Sequence, residues 1–204
     1  MKNKLMIIGA GGHGRVLARI AEMTMNYSEI SFLDDADIKV SGEYPVVGKV
    51  SGFPQYIHSH DFFVAFGDNA LRKKYIESLM KNGANIINLI HPSAVIDKNV
   101  SLGKGVAVIA GAIINCGTTI GNGAIINTAS SVDHDCIIGD YVHIAIGARI
   151  AGEVKIGEQV FIGASVSVIP DITICAGCVV GAGAVVVKNL LEKGTYIGIP
   201  AKLK

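Results

Sequence analysis

From residue 94 to residue 189 the chain repeats one aliphatic residue every six positions without a gap. The third place of all sixteen hexads is Ile, Leu or Val, from Ile96, Leu102 and Val108 through to Val180 and Val186. A six-residue period cannot form a stripe on a helix, because 3.6 residues per turn would carry the aliphatic position around the axis. It predicts short strands separated by regular corners. The fourth place is Gly, Asn or Asp in ten of the sixteen hexads, including Asn115, Gly121, Asp133 and Gly157. These residues tolerate left-handed backbone, so the corner conformation is expected at that place. The first place is mostly Ala, Ser, Thr, Cys or Val, as expected where a small side chain fits beside a bend.

Residues 1–90 have a different texture. Apolar strands are predicted at 5–8, 30–33, 62–66 and 86–89, with helices from 15 to about 25 and from 70 to 82. Strands alternating with helices imply a small open parallel sheet, Rossmann-like in kind. Gly9, Gly11 and Gly14 follow the first strand in a G-x-G-x-x-G pattern, and Asp34 and Asp35 come about twenty residues later. Glycines at a helix N-terminus let backbone N–H groups approach a phosphate, and an acid accepts from hydroxyls. A complete two-halved dinucleotide domain does not fit in ninety residues, and His13 is unusual in a nicotinamide loop, which argues against a dehydrogenase.

Composition narrows the classes. The 204 residues are 50% hydrophobic and 17% charged, with 25 Gly, no Trp and a net charge of +1. That excludes a disordered chain and argues against nucleic acid as a partner. No window has the apolar length of a membrane span. The start, with Lys2 and Lys4 before residues 5–8, has a superficial likeness to an export signal, but its apolar run is short and glycines interrupt it. The four Cys follow no framework spacing and are read as reduced, in a cytoplasmic protein. Cys175 and Cys178 have zinc or redox spacing, but without a second pair they make a poor metal site, and no metal is expected.

The hexads resemble those of the hexapeptide-repeat acyltransferases, which fold as a left-handed parallel β-helix, a triangular prism with three hexads per coil. Sixteen hexads then make slightly over five coils, roughly 25 Å tall at the spacing of stacked strands. The whole chain resembles the sialic acid O-acetyltransferase (NeuD) family, with its nucleotide-sugar N-acetyltransferases of the bacillosamine-pathway (PglD) type. The markers are Gly9-Ala10-Gly11-Gly12-His13-Gly14, Phe32-Leu33-Asp34-Asp35, Gly67-Asp68-Asn69 with Arg72-Lys73-Lys74, Asn88-Leu89-Ile90-His91, Ser131-Val132-Asp133-His134-Asp135-Cys136 and Gly198-Ile199-Pro200-Ala201-Lys202.

That resemblance implies domains at 1–90, binding a UDP-sugar, and 91–204, binding acetyl-CoA between adjacent subunits of a homotrimer. It implies acetyl transfer to the 4-amino group of a UDP-linked 4-amino-4,6-dideoxy sugar for surface glycans. O-acetylation of a sialic acid or related sugar, and a silent nucleotide-sugar-binding scaffold, are the alternatives. Transfer to an amine needs a proton acceptor of near-neutral pKa, which suits histidine. Of six His, only His134 and His143 lie in the repeat. The resemblance makes His134 the base and Asp135 its tuning partner, where relatives commonly carry the longer Glu. It assigns His143, Gly152, Ala164 and Ala182 to the cofactor. It gives Gly11, Gly12 and His13 to the phosphates or sugar, Asp34 and Asp35 to the uridine, and Gly67 to close backbone approach. From its place in the hexad, His143 is expected to face a neighbouring subunit or solvent. Arg72, Lys73 and Lys74 read as a solvated helix face or as phosphate contacts.

Overall fold

The computed structural model describes residues 4–204, so Lys2 lies outside the described residues. The chain divides into two compact units, one ending at Pro92 and the other spanning Ser93–Lys204.

The first unit is a parallel sheet, β1 (Lys4–Ile8), β2 (Glu29–Leu33), β3 (Val40–Ser41), β4 (Tyr44–Gly48) and β5 (Asp61–Val64), in the order β3-β4-β2-β1-β5. Among the described residues of this sheet only the β3–β4 hairpin is antiparallel. Two helices, α1 (Gly12–Met23) and α2 (Asn69–Lys81), follow β1 and β5. Leu5, Met6, Ile7 and Ile8 are all fully buried, as the unbroken apolar run of a central parallel strand requires. The hairpin and a 3-10 turn at Val50–Tyr56 were not foreseen, since Pro45, Gly52 and Pro54 obscure any regular period. The strand expected at 86–89 is reduced to a single bridge from Ile86 to Phe62, with a separate two-residue strand at Leu89–Ile90.

The Arg72 expectation is corrected. Its side chain is fully buried, and its guanidinium donates to the carbonyls of Phe66 and Gly67 at 2.9 and 3.2 Å and to Asn69 Oδ1 at 2.7 Å. It therefore holds the loop after β5 from inside. Lys73 pairs with Glu77 and Lys74 lies over the Tyr75 ring, both on the helix surface.

The second unit is a left-handed parallel β-helix. Three stacks of two-residue strands form its faces, each strand pairing in register with the one eighteen residues on, as Ile113–Ile114 pairs with Ser131–Val132. From Val108 to Val186 every third-place residue is at most 3% exposed, and they fill the prism axis. Ile96 and Leu102 are half-buried, because the first coil has no coil beneath it.

The corner chemistry differs from expectation. The left-handed backbone falls at the sixth place of every hexad from Gly105 to Gly183, including Ala129, Asp135, Tyr141 and Glu153. Fourth-place glycines serve close packing instead: a Cβ on Gly121, Gly157 or Gly163 would lie 2.6 Å from a backbone nitrogen of the next coil. Small size, not φ, selects Gly there. Cys175 and Cys178 are free thiols with sulfurs 3.4 Å apart, Cys178 at an interior first place. Burial pushes the Cys178 thiol up to about 11. No helix among the described residues is long and apolar enough to cross a membrane.

Candidate active site

His134 and Asp135 close one corner of the prism, directly after the strand Ser131–Val132. The backbone is pinned there from below. Asn115, one coil earlier, donates to Asp133 Oδ1 at 2.7 Å, the same oxygen accepts the His134 N–H at 2.9 Å, and Thr118 Oγ1 donates to the Asp133 carbonyl at 2.7 Å. The Asn115 amide, and after it the His134 N–H, hold the Asp133 carboxyl below its ordinary range.

Asp135 takes the left-handed conformation at φ 56°. Its carboxylate thereby turns back onto its neighbour, and His134 Nδ1 lies 2.9 Å from Asp135 Oδ2. The shorter Asp side chain is long enough to make the contact. The hydrogen bond that Asp135 accepts raises the imidazole pKa above 6.5 despite some desolvation, with the charges of Asp133, Asp135 and Glu153 acting the same way. With Nδ1 engaged by the carboxylate, Nε2 is the atom left to accept a proton, and both side chains are open to incoming molecules at 48% and 62% exposure. Asp133 is not a left-handed corner; Asp135 is.

Gly152 stacks one coil beyond His134, against its ring. Ala164 and Ala182 occupy another corner column, eighteen residues apart and exposed, joined by the Gly183 N–H donating to the Ala164 carbonyl at 2.8 Å. Coil-to-coil backbone bonds are donated by second, fourth and sixth places, as at Ser131, Asp133 and Asp135. The fifth-place amides of Ala164 and Ala182 stand outside that ladder. His143 is not solvent-facing in this chain. It is 9% exposed, its ring meeting Phe161 edge-on at 5.2 Å and its Nε2 lying 3.1 Å from Asn127 Nδ2.

In the first unit, β1 lies between β2 and β5, so the glycine loop after β1 and the Gly67 loop after β5 flank the point where the strand order reverses. Such a crevice is the ligand site of open α/β sheets. The glycines divide into two kinds. Gly9 has φ +101°, and a Cβ on Gly14 would strike the Gly9 carbonyl, so both are needed by the turn itself. Gly11 and Gly12 border open space, free for a ligand. Gly11 caps α1 without a side-chain hydrogen bond, and no acid lies in the first turn. Arg15, which sequence reasoning passed over, brings its guanidinium to 3.9 Å from where a Gly12 Cβ would stand. The signal for it was one helical turn past the loop.

His13 is half-buried, its Nε2 enclosed and without a hydrogen-bond partner. Burial, with the nearby Arg72 charge second, lowers its pKa to about 4, so the ring is neutral. Asp34 braces the loop, its two oxygens accepting from Ala10 N at 2.6 Å and Ala36 N at 2.8 Å. Asp35 accepts from Val50 N at 3.0 Å. A groove beside them is lined by Asp34, Asp37, Ile38, Val46 and Lys49. Among the described residues no three His, Cys, Asp or Glu side chains converge as a metal site.

Comparison with known proteins agrees with this two-part layout. Residues 4–79 match the PglD N-terminal domain model, and residues 153–188 match the bacterial transferase hexapeptide model of six repeats. The acetyltransferase domain of PglB from Neisseria gonorrhoeae FA1090, solved in complex with acetyl coenzyme A, is 36% identical, with all of each chain covered and a TM-score of 0.97. PerB from Caulobacter crescentus, in complex with CoA and GDP-perosamine, is 41% identical, covering 98% of this chain and 97% of that one, with a TM-score of 0.92. The UDP-N-acetylbacillosamine N-acetyltransferase of Bacillus subtilis (strain 168) is 36% identical over 114 residues, 54% of this chain and 52% of that protein.

Proposed function

The chain belongs to the PglD-like nucleotide-sugar acetyltransferases, and we propose that it transfers acetyl from acetyl-CoA to the 4-amino group of a UDP-linked 4-amino-4,6-dideoxy sugar. The observation that carries the chemistry is the 2.9 Å contact between His134 Nδ1 and Asp135 Oδ2, which leaves Nε2 as a base with a supported conjugate acid. The acceptor nitrogen attacks the thioester carbonyl, and a tetrahedral oxyanion forms. His134 Nε2 takes a proton from the attacking nitrogen while Asp135 steadies the imidazolium. Collapse breaks the carbon–sulfur bond, and the proton passes to the CoA thiolate. No acyl-enzyme is needed.

Gly152, Ala164 and Ala182 present backbone to the cofactor, and His143, second in its hexad, contacts it as well. Because the His134 and Ala164 columns lie on different corners, a homotrimer that sets one subunit's corner beside its neighbour's would complete the acyl site. Gly11, Gly12, His13 and Gly67 receive the diphosphate and sugar at the switch point, and the groove beside Asp34 and Asp35 takes the base. The protein works in the cytoplasm on this reading, where acetyl-CoA and nucleotide sugars are both present.

GDP is the second reading for the nucleotide, favoured by the PerB complex with GDP-perosamine. A free-thiol assay with acetyl-CoA and UDP-4-amino, GDP-4-amino and sialic acid acceptors separates these cases. Rapid CoA release with the UDP-amino sugar is expected. Release with the GDP sugar alone reassigns the nucleotide, release only with a hydroxyl acceptor overturns N-acetylation, and silence with bound nucleotide sugar favours a scaffold.

A further inference from the structure

We infer that Gly152 is a positioning residue for the base, its missing side chain setting where the His134 imidazole rests. The inference rests on reading His134 as the base. Both residues hold the fifth place of hexads eighteen positions apart, so they stack on consecutive coils, tied by the Glu153 N–H donating to the His134 carbonyl at 2.9 Å. A Cβ on Gly152 would lie 2.5 Å from Nε2, 2.6 Å from Cε1 and 3.2 Å from Cδ2 of the imidazole. Carbon atoms do not approach so closely, so the ring would have to move.

In its present place the ring is tied to Asp135. Asp135 holds Nδ1 at 2.9 Å on one edge of the ring, and Asp133 holds the His134 N–H below. The shift that clears a Cβ at Gly152 is expected to draw Nδ1 away from Asp135 and to displace Nε2. The charged groups that act on the ring are Asp135, Asp133 and Glu153, all of which favour the imidazolium.

Backbone conformation does not explain this glycine. Gly152 is absent from the positive-φ residues, in contrast to Gly117 under Asp135 at φ +71°, where strain and the Asp135 carboxylate both exclude a side chain. Alanine is therefore acceptable to the main chain at 152. The His134 side chain is exposed and free to swing, so the fold loses little. Stability and catalysis should separate.

The test compares wild type, Gly152→Ala, His134→Ala and the double variant, using acetyl-CoA with the acceptor that wild type turns over. Alanine keeps the backbone N–H at 152, so an amide contact to the cofactor is preserved. Gly152→Ala should melt within a few degrees of wild type and lose about tenfold to a hundredfold in kcat, the scale of an ångström-level misplacement. Its KM for acetyl-CoA should stay within about twofold. In the His134→Ala background the same change should leave the residual rate unaltered. An NMR titration should find the His134 midpoint lowered toward 6.5 as the Asp135 contact is lost. Wild-type kcat in Gly152→Ala, equal losses in both backgrounds, or an unchanged His134 midpoint would overturn the inference. A fully active His134→Ala would instead remove the base assignment, while the titration still reports on the ring's position.

Discussion

Asp135, at a left-handed sixth place of its hexad, sets its Oδ2 2.9 Å from the Nδ1 of His134, the residue just before it. On the proposed assignment a corner residue of the repeat serves the reaction centre. The Gly117 below it leaves the space that the carboxylate occupies.

That contact sets a pH dependence. The base works only when deprotonated, and Asp135 raises its pKa above 6.5, so the acid limb of kcat/KM should have its midpoint above that value. Asp135→Asn removes the charge and the leading cause of the shift. Its midpoint should move down toward 6.5 while the plateau rate falls, since the imidazolium has lost its support. Steady-state profiles between pH 5 and 9 check both changes, and a midpoint that rises contradicts the assignment.

Arg15 stands over the open side of the glycine loop. Arg15→Ala should raise KM for the nucleotide sugar about tenfold, the scale of one charge-assisted hydrogen bond, with kcat nearly unchanged. Saturation curves at fixed acetyl-CoA measure this. A fall in kcat at constant KM would place Arg15 in the chemical step instead.

His13 makes the first unit acid-sensitive. Its folded pKa of about 4 lies below the unfolded value of 6.5, so its contribution is complete above pH 6.5 and is lost as pH falls toward 4. The loss amounts to no more than about 3 kcal/mol for a half-buried ring. Denaturant unfolding at pH 7.5 and 4.5 should reveal it, and His13→Asn should narrow the gap between the two. An equal gap in the variant would mean that other groups carry the acid sensitivity.

Much of the molecule was legible because the hexad period is a direct image of the prism. Each third-place aliphatic residue from Val108 on is inside, and each coil is eighteen residues. The sixth-place corner was misread as fourth because Gly121 and Gly157 carry the residue type of a left-handed turn for another reason, contact with the next coil. The partnership of His134 with Asp135 could be read from adjacency and resemblance. Its supports could not: Asn115, Gly117 and Gly152 are close only through stacking across one coil, and their signal is a separation of seventeen to nineteen residues. Arg72 was hidden for the opposite reason. A cation beside two lysines looks solvated, and its burial is explained by acceptors that include the loop carbonyls of Phe66 and Gly67 and the Asn69 amide oxygen.

The account turns on His134 Nε2 as the proton acceptor. The most direct measurement is kcat for CoA release from acetyl-CoA with the 4-amino nucleotide sugar, compared between wild type and His134→Ala at saturating substrates. Loss of the general base predicts a fall of about a hundredfold or more with an unchanged fold. Turnover within a few-fold of wild type would contradict the assignment and the mechanism built on it.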